Sequence, residues 1–264
     1  MITNILHKAL LATNKNNKFN SNNPLTFTAQ ASNSTIKLTQ NGKPVVDGLQ
    51  YRTNINNDWL TYTINTEIEL TNVGDYVQFQ NTNDQLSTSN SNYVQFEMTG
   101  KIAASGNIQS MLDYSYSCTD WCYHKMFYGC KSLISAPKLP ATQLTEMCYS
   151  GMFYGCESLT TVPSILPATT LALTCYNCMF KRCTNLTVAP ELPATELAGY
   201  CYNEMFYGCT NLNYVKVGFT DWTVTATNNW LNSVSPTGTF VCPGELDKTR
   251  SGSSYIPEGW SVNP

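Results

Sequence analysis

Chemistry needs particular side chains at particular spacings, and this chain offers few of them. Imidazole occurs only at His7 and His124. Thiols are abundant: eleven cysteines, of which eight recur in pairs eight residues apart, Cys122/Cys130, Cys148/Cys156, Cys175/Cys183 and Cys201/Cys209. Cys118, Cys178 and Cys242 stand outside that pattern. A metal site could begin at Cys175-x-x-Cys178 or Cys118-x-x-x-Cys122, but tetrahedral zinc needs a second matched pair, and neither motif has one. The paired cysteines therefore read as a ladder of small buried hydrophobes. Asp113, Asp120 and Asp221 form no repeated constellation with His124. Across the chain His124 shares its position with Ser150, Asn177 and Asn203, which reads as a solvated column. A glycosidase needs two carboxylates at a defined separation, and no pair stands out. No catalytic residue, metal ligand or cofactor is assigned, and a non-enzymatic protein is expected.

Recognition has better material. Tyr123, Tyr149, Tyr176 and Tyr202 make one column of equivalent residues; Tyr128, Tyr154 and Tyr207, with Lys181 in the third copy, make another. Tyrosine offers an apolar ring and a hydroxyl, the combination that contacts sugars and proteins. The first column reads as packing between copies. The second follows a Phe each time and is expected to point outward, so Tyr128, Tyr154 and Tyr207 are the candidate ligand- or partner-binding residues.

These columns exist because the second half repeats. Cys122-Tyr-His-Lys-Met-Phe-Tyr-Gly-Cys-Lys-Ser-Leu133 returns from Cys148, Cys175 and Cys201, with Leu-Pro-Ala-Thr between copies. The steps between Met126, Met152, Met179 and Met205 are 26, 27 and 26 residues, a period that implies a solenoid in which each unit buries its apolar face against its neighbours. Cys122 and Met126, like Tyr123 and Phe127, are four apart, and this spacing predicts a short helix in each copy. Gly129, Gly155 and Gly208 fit the left-handed residue that ends such a helix; Arg182 in the third copy predicts a different ending. Pro137, Pro163 and Pro190 keep the following extended segments short.

Composition divides the rest. Fifteen basic and eighteen acidic residues give a net charge of −3. Such a balance excludes nucleic-acid binding through a basic surface, and no apolar run approaches the roughly 18 residues of a bilayer span. Eighteen of the 28 Asn lie in the first hundred residues, whereas every Cys follows residue 117, so the chain joins at least two differently built regions. Residues 1–24 read as an anchor tail and linker: Ile2, Ile5, Leu6, Ala9 and Leu10 form one helical face, too short to persist alone. Residues 25–110 carry alternating runs starting at Leu25, Thr35, Leu49, Trp59, Glu67, Tyr76 and Tyr93, separated by turn signals such as Asn41-Gly42 and Gly74-Asp75. This pattern predicts an antiparallel β-sandwich, Ig-like or jelly-roll-like. The four copies occupy 111–217, and residues 218–264, with Phe219, Trp222, Trp230 and Trp260, read as a C-terminal cap. The expected fold is mainly β plus a repeat solenoid with short helices.

The M-F-x-x-C-x-x-L core and its L-P-A-T connection resemble the BspA-type leucine-rich repeats, common in gut Bacteroidetes and in the phages that infect them, crAss-like phages included. The resemblance covers 118–217; the stretches Met98 to Asn107 and Tyr255 to Trp260 are similar to such proteins as well. It implies a right-handed leucine-rich-repeat-like solenoid used for adhesion. Secreted members carry a signal peptide, and no such pattern is read here, so the resemblance points to a phage virion protein, a head fibre, decoration or tail-fibre type, assembled in the host cytoplasm. Implied partners are a capsid or tail protein at the N-terminus, a bacterial-surface glycan or protein at the repeats, and further copies of the chain in a dimer or trimer. The alternative is a cell-surface bacterial adhesin.

Overall fold

The structure, a computed structural model, describes residues 22–264. The expected anchor face of Ile2, Ile5, Leu6, Ala9 and Leu10 lies outside the described residues. The architecture is mainly β, in several open sheets with almost no helix. The strands are β1 (Leu25–Ala29), β2 (Ser34–Asn41), β3 (Leu49–Thr53), β4 (Leu60–Thr61), β5 (Ile68–Leu70), β6 (Tyr76–Asn81), β7 (Tyr93–Thr99) and β8 (Ile102–Ser105), then β9 (Leu133–Ser135), β10 (Tyr214–Lys216), β11 (Gly238–Val241) and β12 (Trp260–Asn263).

Period-two alternation does the work in the first third. In β1, Leu25, Phe27 and Ala29 are buried while the threonines between them are half-exposed. One sheet runs β4-β3-β6-β1-β8-β9 and a second β5-β2-β7. Their apolar faces meet through Phe27 and Phe96, with ring centroids 4.7 Å apart, and through Phe79 and Phe96 at 5.3 Å. The Trp59 run yields only the two-residue β4, whereas β8, a short Ile-Ala-Ala-Ser strand without alternating polarity, pairs antiparallel with β1 and parallel with β9. That parallel pairing carries the sheet into the repeats.

The helices expected within the copies are absent. The described residues contain one short 3-10 helix, Ile108–Leu112, ahead of the first copy. Instead each copy is a chain of turns with a left-handed residue every fourth position: Trp121, Lys125 and Gly129 (φ 65, 57 and 71°), Met147, Gly151 and Gly155 (59, 63 and 72°), Thr174, Cys178 and Arg182 (54, 54 and 62°), Tyr200, Glu204 and Gly208 (54, 50 and 74°). Arg182 thus adopts the glycine conformation rather than a different ending, at the steric cost a side chain meets there. The hydrogen bonds explain the choice. Cys122, His124, Met126, Tyr128 and Cys130 donate their N–H three residues back, while Trp121, Tyr123, Lys125, Phe127 and Gly129 donate to Glu146, Cys148, Ser150, Met152 and Tyr154 of the next coil. An α-helix would consume every N–H internally. Here alternate donors point along the stack and tie coil to coil.

A period of four also keeps Cys122, Met126 and Cys130 in register, where an α-helix would drift by roughly 40° per step. The result is columns of identical side chains. Phe127, Phe153, Phe180 and Phe206 stack at 5.2, 5.4 and 5.6 Å with planes within 6°, and Phe96 of β7 heads the column, 5.4 Å from Phe127. One apolar core therefore runs without interruption from the sheets into the coils. The turn chain continues past residue 218: Tyr202, Glu204, Phe206 and Gly208 donate to Ala226, Asn228, Trp230 and Asn232, and Asn229 and Ser233 are again left-handed. Trp230 ends the aromatic columns, 6.2 Å from Tyr202 and 6.5 Å from Phe206, with Phe219, Trp222 and Phe240 around it. β10, β11 and β12 form a parallel sheet beside it.

Candidate functional site

The site is set by where the turn chain aims each position. Residues equivalent to Cys122, Tyr123, Met126 and Phe127 are buried in every copy. The Tyr123, Tyr149, Tyr176 and Tyr202 rings stack at 5.2, 5.7 and 6.1 Å inside the core, and burial pushes their phenol pKa values well up. The Tyr123 hydroxyl donates to Gln109 Oε1, with the Ile108 carbonyl a second, longer acceptor at 3.3 Å, tying the first copy to the 3-10 helix.

The next position projects outward. Tyr128 is 37 % exposed, and Tyr154 and Tyr207 are half-buried. The structure brings all three into one row with Lys181. Tyr128 and Tyr154 stack at 4.7 Å and 19°; the Lys181 ammonium lies 5.6 Å from the Tyr154 ring centre and 4.7 Å from that of Tyr207, and is held by Glu204 Oε2 at 2.7 Å. The ring faces are therefore turned toward one another along the stack. Stacking of this kind leaves ring edges, with their positive partial charge, as the part of each ring not turned to a neighbour along the row. Beside the row run Gly129, Gly155, Arg182 and Gly208, and the Arg182 Cγ lies 3.4 Å from where a Gly208 β-carbon would sit, so the arginine stem covers that glycine.

The adjoining column differs from its sequence reading. His124 is buried (5 % exposed), as is Ser150 (3 %), because loop and strand residues cover the first coil there. The His124 ring meets Trp121 at 5.0 Å and Tyr93 at 5.7 Å, with Nε2 3.2 Å from Asn90 Oδ1. Burial, aided by neighbouring Lys125, pulls its pKa down to about 4. Beyond it runs an amide ladder that sequence reasoning missed: Asn177 Nδ2 donates to Ser150 Oγ (3.4 Å), Asn203 to Asn177 (2.7 Å) and Asn228 to Asn203 (2.9 Å). The recurrence of short amides at one position was the available signal. Each amide has both a donor and an acceptor, so a column of them satisfies itself.

All eleven cysteines are free thiols, and all but Cys178 are buried. Cys130 donates at 3.0 Å to the carbonyl of Phe96 in β7, and Cys156, Cys183 and Cys209 at 3.0–3.1 Å to those of Phe127, Phe153 and Phe180, each one coil back. Burial raises their pKa, to about 12 for Cys209, and takes Cys178 and Cys201 to about 12 as well. Thiolate is the reactive form, so iodoacetamide at pH 8 is expected to label the native protein slowly and first at Cys178, then all eleven thiols once it is denatured without reductant. Rapid native labelling of several paired cysteines would contradict this packing.

Among the described residues no group of three or more His, Cys, Asp or Glu is placed to hold a metal. Asp221 serves locally, accepting the Trp222 N–H at 2.9 Å, and Asp113 closes the 3-10 helix. No helix is long and apolar enough to cross a membrane among the described residues. The arrangement presents a row of three tyrosines and a lysine on hydrogen-bonded coils, built by columns that the repeat makes unavoidable. No protein-family model, curated protein or solved structure matches this chain.

Proposed function

We propose that the chain is a non-enzymatic virion appendage of a bacteriophage, of head-fibre, decoration or tail-fibre type, that adheres to the bacterial surface. In this reading the N-terminal segment docks to a capsid or tail protein. Residues 25–110 form an Ig-like or jelly-roll-like sandwich that spaces the repeats, and the coils are a leucine-rich-repeat-like solenoid presented in a dimer or trimer. The phage assignment rests on the resemblance of the M-F-x-x-C-x-x-L copies.

The observation that carries adhesion is the row Tyr128–Tyr154–Lys181–Tyr207. Large amphipathic side chains occupy an outward position where solubility alone favours a charge, and backbone hydrogen bonds hold successive coils in register beneath them. A row of weak contacts on a stiff support, multiplied by copies per particle, gains avidity. Particles assembled with Tyr128, Tyr154 and Tyr207 all replaced by Ser are expected to form normally and to adsorb to host cells about tenfold less or worse, with the unfolding midpoint of the purified protein near wild type. Unchanged adsorption would move the binding face elsewhere, for example to the open cleft of about 420 Å³ lined by Lys101, Ser132, Ile134, Ser158 and Thr160.

A further inference from the structure

Given the adhesive role proposed for the tyrosine row, on which the ligand assignment depends, the chemistry of that row narrows the class of ligand. Sugar rings usually dock on open aromatic faces, yet here the Tyr128 and Tyr154 faces lie against each other, and those of Tyr154 and Tyr207 against Lys181. Between the two end rings, what the row offers a ligand is ring edges, phenol groups and cations. An aromatic edge is the positive side of the ring quadrupole, a phenol is a hydrogen-bond donor, and both favour negative charge.

The charges on this face point the same way. From residue 125 to 131 and the equivalent positions of the other copies there are four cations, Lys125, Lys131, Lys181 and Arg182, against two carboxylates, Glu157 and Glu204. Lys131 is paired with Glu157 at 2.8 Å and Lys181 with Glu204 at 2.7 Å. Lys125 lies 5.0 Å over the Tyr93 ring and donates to Asn90. Arg182 is exposed and, among the described residues, has no carboxylate within ion-pair distance. The row is thus locally positive on a chain whose net charge is −3. Arg182 moreover stands at a left-handed position that the three other copies fill with glycine, where a side chain is conformationally costly. A planar guanidinium there, next in sequence to Lys181 of the row, suits bidentate binding of a carboxylate, sulfate or phosphate.

We infer that the row Tyr128–Tyr154–Lys181–Tyr207 with Arg182 is a binding site for an acidic polysaccharide, whose charged groups are read by Arg182 and the row and whose length is matched by the repeat. Glycines 129 and 155 add no side chain beside the row and leave room along it for such a chain.

The test uses the full chain immobilised against three anionic polymers: polygalacturonate, chondroitin sulfate and a glycerol-phosphate teichoic acid. At least one is expected to bind, more weakly as salt is raised, and its neutral counterpart, carboxyl-reduced polygalacturonate or desulfated chondroitin, at least tenfold more weakly. Arg182→Gly, which installs the residue of the other copies and fits its φ of 62°, is expected to keep the unfolding midpoint and lower affinity for the anionic polymer about tenfold, the worth of one charge-assisted pair. Lys181→Tyr completes the tyrosine column and should add to the loss. Equal binding of charged and neutral polymers, or wild-type affinity in Arg182→Gly, overturns the acidic-ligand inference while leaving adhesion to glycans standing. Binding to none of the anionic polymers by a protein that still adsorbs to host cells overturns it in favour of a protein receptor. Loss of adsorption with no change in any polymer assay does the same.

Discussion

Phe153→Ala is expected to cost about 3–5 kcal/mol of folding free energy, the range for deleting a fully buried aromatic ring. Phe153 is wholly buried and stacked on both faces, 5.2 Å from Phe127 and 5.4 Å from Phe180. Its removal leaves a void midway along the column, and the two rings beside it cannot close in, because each coil is fixed in height by its backbone bonds to the next. Equilibrium urea denaturation measures the loss. A boundary near residue 110 read from composition alone predicts that the sheets are spared. The stacking of Phe96 on Phe127 and the pairing of β8 with β9 predict instead that sheets and coils lose stability together. Coincident transitions by far-ultraviolet dichroism and tryptophan fluorescence would support the shared core. A cost below about one kcal/mol would mean that the column register is wrong.

The second large effect is on pH dependence. In the folded chain His124 titrates at about 4, chiefly because burial disfavours its charged form; in the unfolded chain it titrates near 6.5. Above pH 6.5 the ring is neutral in both states and contributes nothing to the slope. Below it the unfolded state takes up a proton that the folded state refuses, so stability falls as pH drops from 6.5 to 4. The shift corresponds to about 3 kcal/mol. His124→Asn places in that column the residue found at positions 177, 203 and 228 and removes the titration. Denaturation midpoints at pH 7, 6, 5 and 4.5 are expected to diverge, wild type falling more steeply than the variant. Surface carboxylates such as the half-buried Asp75 and the exposed Asp247, whose pKa values hydrogen bonding lowers, also shed stability in acid, but equally in both proteins. Parallel profiles would show that His124 is solvated after all.

Much of this organisation was legible in the residues. Alternation placed β1, β2, β3, β6 and β7, and the repeat placed every column, including the outward tyrosines. Three features were hidden for identifiable reasons. Spacings of four fit both an α-helix and a chain of turns, and only the destination of the backbone N–H groups separates them. Gly155 fits the end of a helix as well as a turn, and Lys125, Cys178, Glu204 and Arg182 show that non-glycine residues take the same left-handed conformation. β8 is buried in alternation like its neighbours, Ile102 and Ala104 inside, but the small Ala103 beside Ala104 gives the residues no contrast of polarity. The burial of His124 depends on Asn90 and Tyr93, distant in sequence, so no local pattern could announce it. Lys181 was visible as an exception in the tyrosine column. That it fills the gap between two rings as a cation is a property of the stack.

The division of backbone donors between turns and neighbouring coils has a mechanical side. Neighbouring coils are joined by hydrogen bonds and packing and by no covalent cross-link. Pulled from its two ends, such a stack yields one coil at a time rather than all at once. Each release of 26 or 27 residues adds about 90 Å of slack, dissipates work and lowers the tension on the coils still closed. The feature that orders the tyrosine row also makes the stack a force-limiting element, able to lengthen severalfold before its two ends carry the full load.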